Sequence, residues 1–267
     1  MRHSFCVKTS VKKVSLSIVT YNNEKVIGQC LETLLAASAM PDIVDNHSGD
    51  ATVQILESYL NQYPVKLILN QVNYGFGHGH NLIIATVSSD YHIICNPDIL
   101  INPDTIPLLA QYMDEHPDIG ILCPKLTNPD GSLQANNHRY PTVLDLALRR
   151  LAPAWLKTLL KKRMDAYLML DVGYGQICDV PFVSGAFMFC RTSVLKQVGG
   201  FDERYFLYFE DVDLCRKVQE AGYLTVYFPD AQVIHQWERA AYKSWRMSWV
   251  MLLSAVKYFN KWGWRFA

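Results

Sequence analysis

Acidic side chains with the potential for proton transfer concentrate at residues 201–213, FDERYFLYFEDVD. Asp202 and Glu203 precede an aromatic run, and Glu210, Asp211 and Asp213 follow it. Carboxylates packed this densely beside an apolar wall have their pKa values pushed apart. Asp211 stands where a helix should begin, and the positive end of that helix would keep its carboxylate ionised and able to accept a proton. Asp211 is therefore the first candidate for a general base and Glu210 the second. Asp213 falls about 200° further round a helix and would not share the task. The competing interpretation is a solvated acidic first turn in which Asp213 pairs with Arg216 or Lys217.

A different chemistry suits Asn96-Pro97-Asp98, which directly follows the apolar run 91–95. Pro97 fixes one backbone angle and holds Asp98 at a strand end. A hard divalent cation takes oxygen ligands, commonly one or two carboxylates together with substrate phosphates. An isolated acid fits that arrangement and does not fit a structural zinc cage. His235 could complete such a site or touch a diphosphate; equally, it could be a packed histidine between Ile234 and Trp237.

Two further segments suit a nucleotide. Asp45 and Asn46, just past residues 43–45, have the groups to read a base edge or ribose hydroxyls, whereas Asp50 suits the cap of the next helix. Residues 73–81, NYGFGHGHN, place Gly75, Gly77 and Gly79 ahead of a helix. Such glycines allow close backbone approach to a phosphate or simply form a turn. Their spacing is neither a dinucleotide fingerprint nor a P-loop. His78 and His80 lack a matching acid for a metal site.

The elements that must position these residues alternate regularly. Strand patterns at 14–20, 43–45, 65–69, 91–95 and 119–123 are separated by helix patterns at 24–37, 51–60, 81–87 and 105–115. Continuous apolar strands between helices indicate a mostly parallel sheet covered on both faces. Ligands in such α/β folds bind beyond the carboxyl ends of the strands, where Asn22, Asn23, Asp45, Asn46, Asn96 and Asp98 fall. Beyond Pro124 the alternation breaks. Asn128-Pro129-Asp130-Gly131 is a turn, 141–169 a basic helical region interrupted by Pro153, and 180–190 one buried strand. A helix over 211–221, capped by Gly222, leads to a strand at 224–228. The tail 239–267 reads as a basic helix rich in tryptophan.

The 267 residues, half of them hydrophobic, permit one substantial core. Lys plus Arg equals Asp plus Glu at 25 each, which gives no support to nucleic-acid binding. The charges are unevenly spread: between Arg139 and Arg163 seven Lys/Arg face one acid, and from Arg239 to the end there are six and none. Both basic, aromatic-bearing segments suit an anionic membrane surface, or else two solvated helix faces. No apolar stretch approaches the roughly 20 residues that span a bilayer, and the first residues do not read as a signal peptide. The expectation is a soluble or peripheral chain. Seven cysteines without a CxxC pair read as free thiols in the core and lean towards a reducing compartment.

Taken together, residues 16–22 (LSIVTYN), 44–50 (VDNHSGD), 73–81, 96–99 (NPDI), 183–190 (VSGAFMFC) and 199–216 (GGFDERYFLYFEDVDLCR) resemble the family-2 glycosyltransferases of the GT-A fold, in order and spacing. The likeness is strongest to their bacterial rhamnosyltransferase-like branch. It implies a GT-A domain over 1–238, with acceptor-side elements at 124–210, and a separate helical segment at 239–267. It implies inverting transfer, with Asp211 as the base that deprotonates an acceptor hydroxyl. By the same likeness Asp98 is the metal-binding acid of a degenerate DxD motif whose first position is Asn96, and His235 touches the metal or diphosphate. Mg²⁺ or Mn²⁺ is the implied cofactor. Thr20, Asn22, Asp45, Asn46, Gly75, Gly77, Asn81 and Asn96 fall in the implied donor-binding segments, with Asp45 on a uracil or thymine base. Gly185 and Ala186 would line the donor sugar. The residues before Asp45 are fewer than usual, so the second strand should be clipped. The last two motifs look like those of enzymes that move L-rhamnose from dTDP-L-rhamnose to a polyprenyl-diphosphate-linked saccharide. The implied setting is O-antigen-like polysaccharide synthesis on the cytoplasmic face of the inner membrane. The alternatives are a UDP-sugar donor, or a noncatalytic sugar- or nucleotide-binding module on the same scaffold.

Overall fold

The computed structural model describes residues 13–236 and 245–267. The first twelve residues and the start of the basic tail therefore lie outside the described residues. Over the first half, β1 (Val14–Thr20), β2 (Pro41–Asp45), β3 (Lys66–Leu69) and β4 (Tyr91–Cys95) alternate with α1 (Ile27–Ala36), α2 (Thr52–Leu60) and α3 (Phe76–Ile84). Ile18, Ile43, Ile93 and Ile94 are fully or almost fully buried, as strands covered on both faces require. β2 is five residues long and pairs in parallel with β1 and β3, so its expected clipping is mild.

The chain continues through β5 (Ile99–Ile101), α4 (Thr105–Glu115), β6 (Ile119–Thr127), β7 (Asn137–His138), α5 (Val143–Leu151), α6 (Ala154–Leu159) and α7 (Lys161–Tyr167). It ends with β8 (Cys178–Asp179), β9 (Phe182–Val183), β10 (Phe187–Arg191), α8 (Thr192–Gln197), α9 (Glu210–Glu220), β11 (Leu224–His235) and α10 (Trp245–Trp262). One sheet runs β3-β2-β1-β4-β10-β6-β11-β5, with β8 also on β11, and β7 pairs separately with β9. β10 is antiparallel to both β4 and β6, and β11 is parallel to β6. β1, β2, β4, β6 and β11 therefore all point their carboxyl ends to one edge.

Three expectations change here. The apolar run 180–190 is not one strand, because a turn at Ser184-Gly185-Ala186 divides β9 from β10. β11 is 12 residues long rather than five, continuing past an irregularity between Phe228 and Gln232 to His235. β5 has no counterpart in the expected strands, being three residues long and directly after a proline turn. The basic region does form helices. Pro153 caps α6, and Thr142 and Asp145 close a reciprocal capping box on α5. Cys30, Cys95, Cys123, Cys190 and Cys215 are buried free thiols, as their apolar neighbours suggest.

α10 packs its inner side, Ser254, Ala255, Tyr258 and Phe259, into the core. The lock is Asp213, whose side chain is fully buried. Trp262 Nε1 donates to its Oδ1 at 2.7 Å, and Lys261 Nζ lies 2.7 Å from the same oxygen. Asp213 therefore pairs with residues 48 and 49 positions downstream, not with Arg216 or Lys217. Arg216 instead lies over the rings of Tyr140 and Trp262. Removing one partner of a buried pair leaves the other charge poorly compensated, although Asp202 still reaches Lys261 at 2.9 Å. Asp213→Ala should cost on the order of 3 kcal/mol in urea unfolding, against under about 1 kcal/mol for the exposed acid Glu57. Equal midpoints for the two variants would refute the lock.

Candidate active site

The shared carboxyl edge of the sheet collects Thr20, Asp45, Asn96 to Asp98, the Ser184–Ala186 turn and His235. At one end, Thr20 and Asp45 are neighbours across the β1–β2 ladder. Asp45 is buried and accepts from Thr20 Oγ1 at 2.7 Å, Ser48 Oγ at 2.6 Å and Ser48 N–H at 2.8 Å. A carboxylate has about four lone-pair directions, so Asp45 is held rigid with one to offer. Asn22 has a left-handed backbone (φ 58°) and accepts from Gly49 N–H at 2.7 Å, closing the two strand-end loops together. Asn46 is buried as well. Its side-chain nitrogen donates to Gly75 O at 3.0 Å, and its oxygen accepts from Asn70 at 2.8 Å. Asp50 accepts from Thr52 N–H at 3.0 Å, a turn contact just ahead of α2, whose N-cap is Ala51 without a side-chain cap.

At the centre, β5 pairs antiparallel with the end of β11 and sets His235 opposite Ile99. This register brings His235 Nε2 to 3.3 Å from Asp98 Oδ2. The tautomer follows from Gln134. Its amide nitrogen donates to His235 O at 2.8 Å and to Asn128 Oδ1 at 2.7 Å, so its oxygen faces His235 Nδ1, at 2.8 Å. His235 Nδ1 therefore carries a proton, and Nε2 is the nitrogen that faces the carboxylate. An imidazole nitrogen and a carboxylate oxygen at this separation can serve as two ligands of one divalent cation. Asp98 Oδ1 is buried and has no hydrogen-bond partner among the described residues. One carboxylate and one imidazole fit Mg²⁺ or Mn²⁺ with phosphate oxygens and water completing the shell. Among the described residues no group of three His, Cys, Asp or Glu forms a closed metal cage. Gln134 escaped sequence reasoning. Its signal is the Asn128–Gly131 turn, which folds the following residues back onto β6.

The Ser184–Ala186 turn joins the two acidic motifs. Asn96 N–H donates to Ala186 O at 2.8 Å, and Gly185 N–H donates to Asp211 Oδ2 at 3.2 Å. Val212 N–H holds Asp211 Oδ1 at 2.8 Å. Tyr208 and Phe209, immediately before α9, both have left-handed backbones (φ 67° and 69°), which cost non-glycine residues about 1–2 kcal/mol each. Burial raises the Asp211 carboxyl above its usual pKa, against the two N–H bonds that lower it. Glu210 rises well above its usual value, first through burial and then through the negative charge of Asp211. The direction for Asp211 thus differs from the helix-end expectation, because desolvation outweighs the dipole. Both carboxyls are thus held above their ordinary pKa by burial, Glu210 with the added charge of Asp211 beside it.

Other predicted site residues serve packing. A side chain at Gly75 would strike the Phe206 carbonyl, one at Gly77 would meet Phe201 Cβ at 2.8 Å, and one at Gly79 Val19 Cγ2 at 2.7 Å. On the Cβ side, the close approach these glycines permit is to protein. The Asn81 side chain is likewise taken up by Phe201 and Glu203. His78 pairs with Glu203 at 2.8 Å. His80 is buried against Ser17 at 2.7 Å, and burial pushes its pKa well down. Neither belongs to the Asp98 site.

Comparison with known proteins places this geometry. The family model described as "Glycosyltransferase like family 2" matches residues 12–249. The N-acetylglucosaminyl-diphospho-decaprenol L-rhamnosyltransferase of Mycobacterium tuberculosis is 33% identical over 81% of this chain and 74% of its own length. Rhamnosyltransferase WbbL of Escherichia coli is 25% identical over 83% of each chain. Among solved structures, the Pyrobaculum calidifontis mannosyltransferase PcManGT, in complex with GDP-Man and Mn²⁺, superposes with a TM-score of 0.65 at 16% identity. TarS 1-349 of S. aureus gives 0.59 at 22%. These alignments span 94% and 93% of this chain but 65% and 66% of the solved chains. The likeness shows the fold, which is GT-A.

The raised Glu210 predicts a pH-dependent stability. Its folded form binds a proton more tightly than the unfolded chain, so its stabilisation is complete below the ordinary glutamate pKa of about 4.3 and is lost as pH rises through the folded value. Melting temperatures should therefore increasingly favour Glu210→Gln over the parent as pH climbs from about 4 to about 8. A temperature difference that stays constant over that range would rule out a raised Glu210.

Proposed function

Because the chain belongs to glycosyltransferase family 2, we propose that it is an inverting rhamnosyltransferase. It would move L-rhamnose from dTDP-L-rhamnose to a hydroxyl of a polyprenyl-diphosphate-linked saccharide, in O-antigen-like surface polysaccharide synthesis. The work would take place at the cytoplasmic face of the inner membrane. The names of the relatives support the sugar and the lipid-linked acceptor. The observation that carries the reaction type is the Ser184–Ala186 turn, whose neighbouring residues Ala186 and Gly185 contact the Asp98 loop on one side and Asp211 on the other.

In this mechanism Asp45 takes the N–H of the donor's pyrimidine with its remaining acceptor direction, while Thr20 and Ser48 keep the carboxylate oriented. Asp98 and His235 would hold Mg²⁺ or Mn²⁺, which when bound neutralises charge on the departing diphosphate. Gln134 presents the correct His235 nitrogen. Asp211 accepts the proton of the acceptor hydroxyl as that oxygen attacks the anomeric carbon from the face opposite the diphosphate, which gives inversion. The raised pKa of Asp211 strengthens it as a base, and neutral Glu210 keeps a second negative charge away from the attacking oxygen. A single displacement needs no carboxylate nucleophile.

A screen of dTDP-, UDP- and GDP-sugars with lipid-diphosphate acceptors, with and without Mg²⁺ or Mn²⁺, tests the donor and metal. dTDP-L-rhamnose should be consumed, and chelation should abolish release of nucleoside diphosphate. Turnover of a UDP-sugar alone would replace the donor assignment. Asp211→Asn should lower turnover by about 10²–10⁴-fold with donor affinity unchanged. Near-normal turnover in that variant would remove Asp211 as the base, and absence of turnover with every donor would favour a binding module.

A further inference from the structure

The two sides of α10 face different surroundings. The inner side is core. On the outer side, Trp245, Trp249, Leu252, Leu253 and Val256 fall within one stripe of roughly 100° at about 100° per residue. All five are exposed, Trp245 by 77% and Leu253 by 55%. A continuous apolar stripe in water is unusual for a folded chain and marks an interaction surface. α5 lies alongside, with Arg150 hydrogen-bonded to Ser248 and 3.9 Å from Met251 Sδ. α6 follows α5 and exposes Trp155 by 69% and Leu159 by 73%, four residues apart on one helix face.

Charge identifies the occupant. Arg149, Arg150, Lys162, Arg246 and Lys257 are exposed on these helices. Both acids of α5–α7 are already neutralised, Asp145 by Arg163 at 2.6 Å and Asp165 by Lys161. α10 contains no acid. Apolar aromatic residues amid unopposed cations match the interface of an anionic bilayer. A second copy of the chain matches poorly, because a twofold contact would set the cationic rim against itself.

We propose that the outer stripe of α10, together with Trp155 and Leu159, docks the protein on an anionic lipid surface, and that the inner side of α10 ties this docking to the loop carrying Asp211. Three contacts make the tie. Ser254 Oγ donates to Leu207 O at 2.9 Å, Lys261 bridges Asp202 and Asp213, and Trp262 holds Asp213, two residues past Asp211. The base would thereby sit at a set height above the membrane that bears the acceptor. In that last respect the inference rests on the lipid-linked acceptor proposed above; the docking itself does not.

The test is co-sedimentation of the full chain with phosphatidylcholine vesicles and with mixed phosphatidylcholine–phosphatidylglycerol vesicles. The chain should pellet with the mixed vesicles, and salt should weaken the binding. Trp249→Ser combined with Leu253→Ser should weaken it by at least about tenfold, and Arg246→Gln by on the order of fivefold. Circular dichroism should show the fold retained in each variant. Release of nucleoside diphosphate with a water-soluble short-chain acceptor should be unchanged by the double substitution. Equal binding to both vesicle types, or binding unaffected by the double substitution, would overturn the docking surface. So would a dimer that the double substitution dissolves. Vesicle binding without turnover of any donor would sink the transferase mechanism and leave the docking surface standing.

Discussion

Two hydrogen bonds from the neighbouring residues Gly185 and Ala186 hold the site together. Ala186 O accepts from Asn96 N–H, and Gly185 N–H donates to Asp211. They depend on one strand, β10, which runs antiparallel between two strands that are parallel to each other. That insertion turns the chain round at the carboxyl edge, so the loop entering β10 meets the loop leaving β4. Asp98 and Asp211, the carboxylates proposed to hold a cation and to accept a proton, are thereby placed on either side of three residues. A Cβ at Gly185 would lie in ordinary contact with Asp211 Cβ at 3.4 Å and with the Phe76 ring at 3.5 Å.

The acidic loop is held under opposing demands. Its two left-handed aromatic residues and the buried Glu210 are unfavourable, and the surrounding contacts compensate. Phe76 N–H binds Phe206 O at 3.0 Å from one side, and α10 clamps Asp213 and Leu207 from the other. Three closely spaced acids thus acquire separate parts. Glu210 has its pKa raised well above the ordinary value by burial, Asp211 accepts from the Gly185 N–H at the sheet edge, and Asp213 secures the C-terminal helix. The buried Ser15–His92–Ser17–His80 chain adds a further polar anchor beneath α3, with both imidazoles pushed towards neutrality by burial.

Much of the framework was legible in the residues alone. β1, β4 and the helices between them follow from continuous apolar runs and helical spacing, and the position of Asp98 follows from a proline directly after a strand. Other features were legible only in part. The 180–190 run reads as a single strand because Gly185 and Ala186 are as apolar as their neighbours, and nothing local marks a turn. The tight glycine series reads equally as a ligand loop or a packing device, because only the partner across the gap separates the two.

Local patterning determined the alternating α/β order, the strand-end acids and the presence of basic aromatic helices, since these depend on neighbours within a turn or a strand. Tertiary structure decided which acid does what. Asp98 meets His235 through a three-residue strand, Gln134 selects the tautomer from about 100 positions away, and Asp213 finds Lys261 and Trp262 across 48 and 49. Burial and partner charge assign these roles. Both are properties of the packed chain, and the sequence around each residue does not contain them.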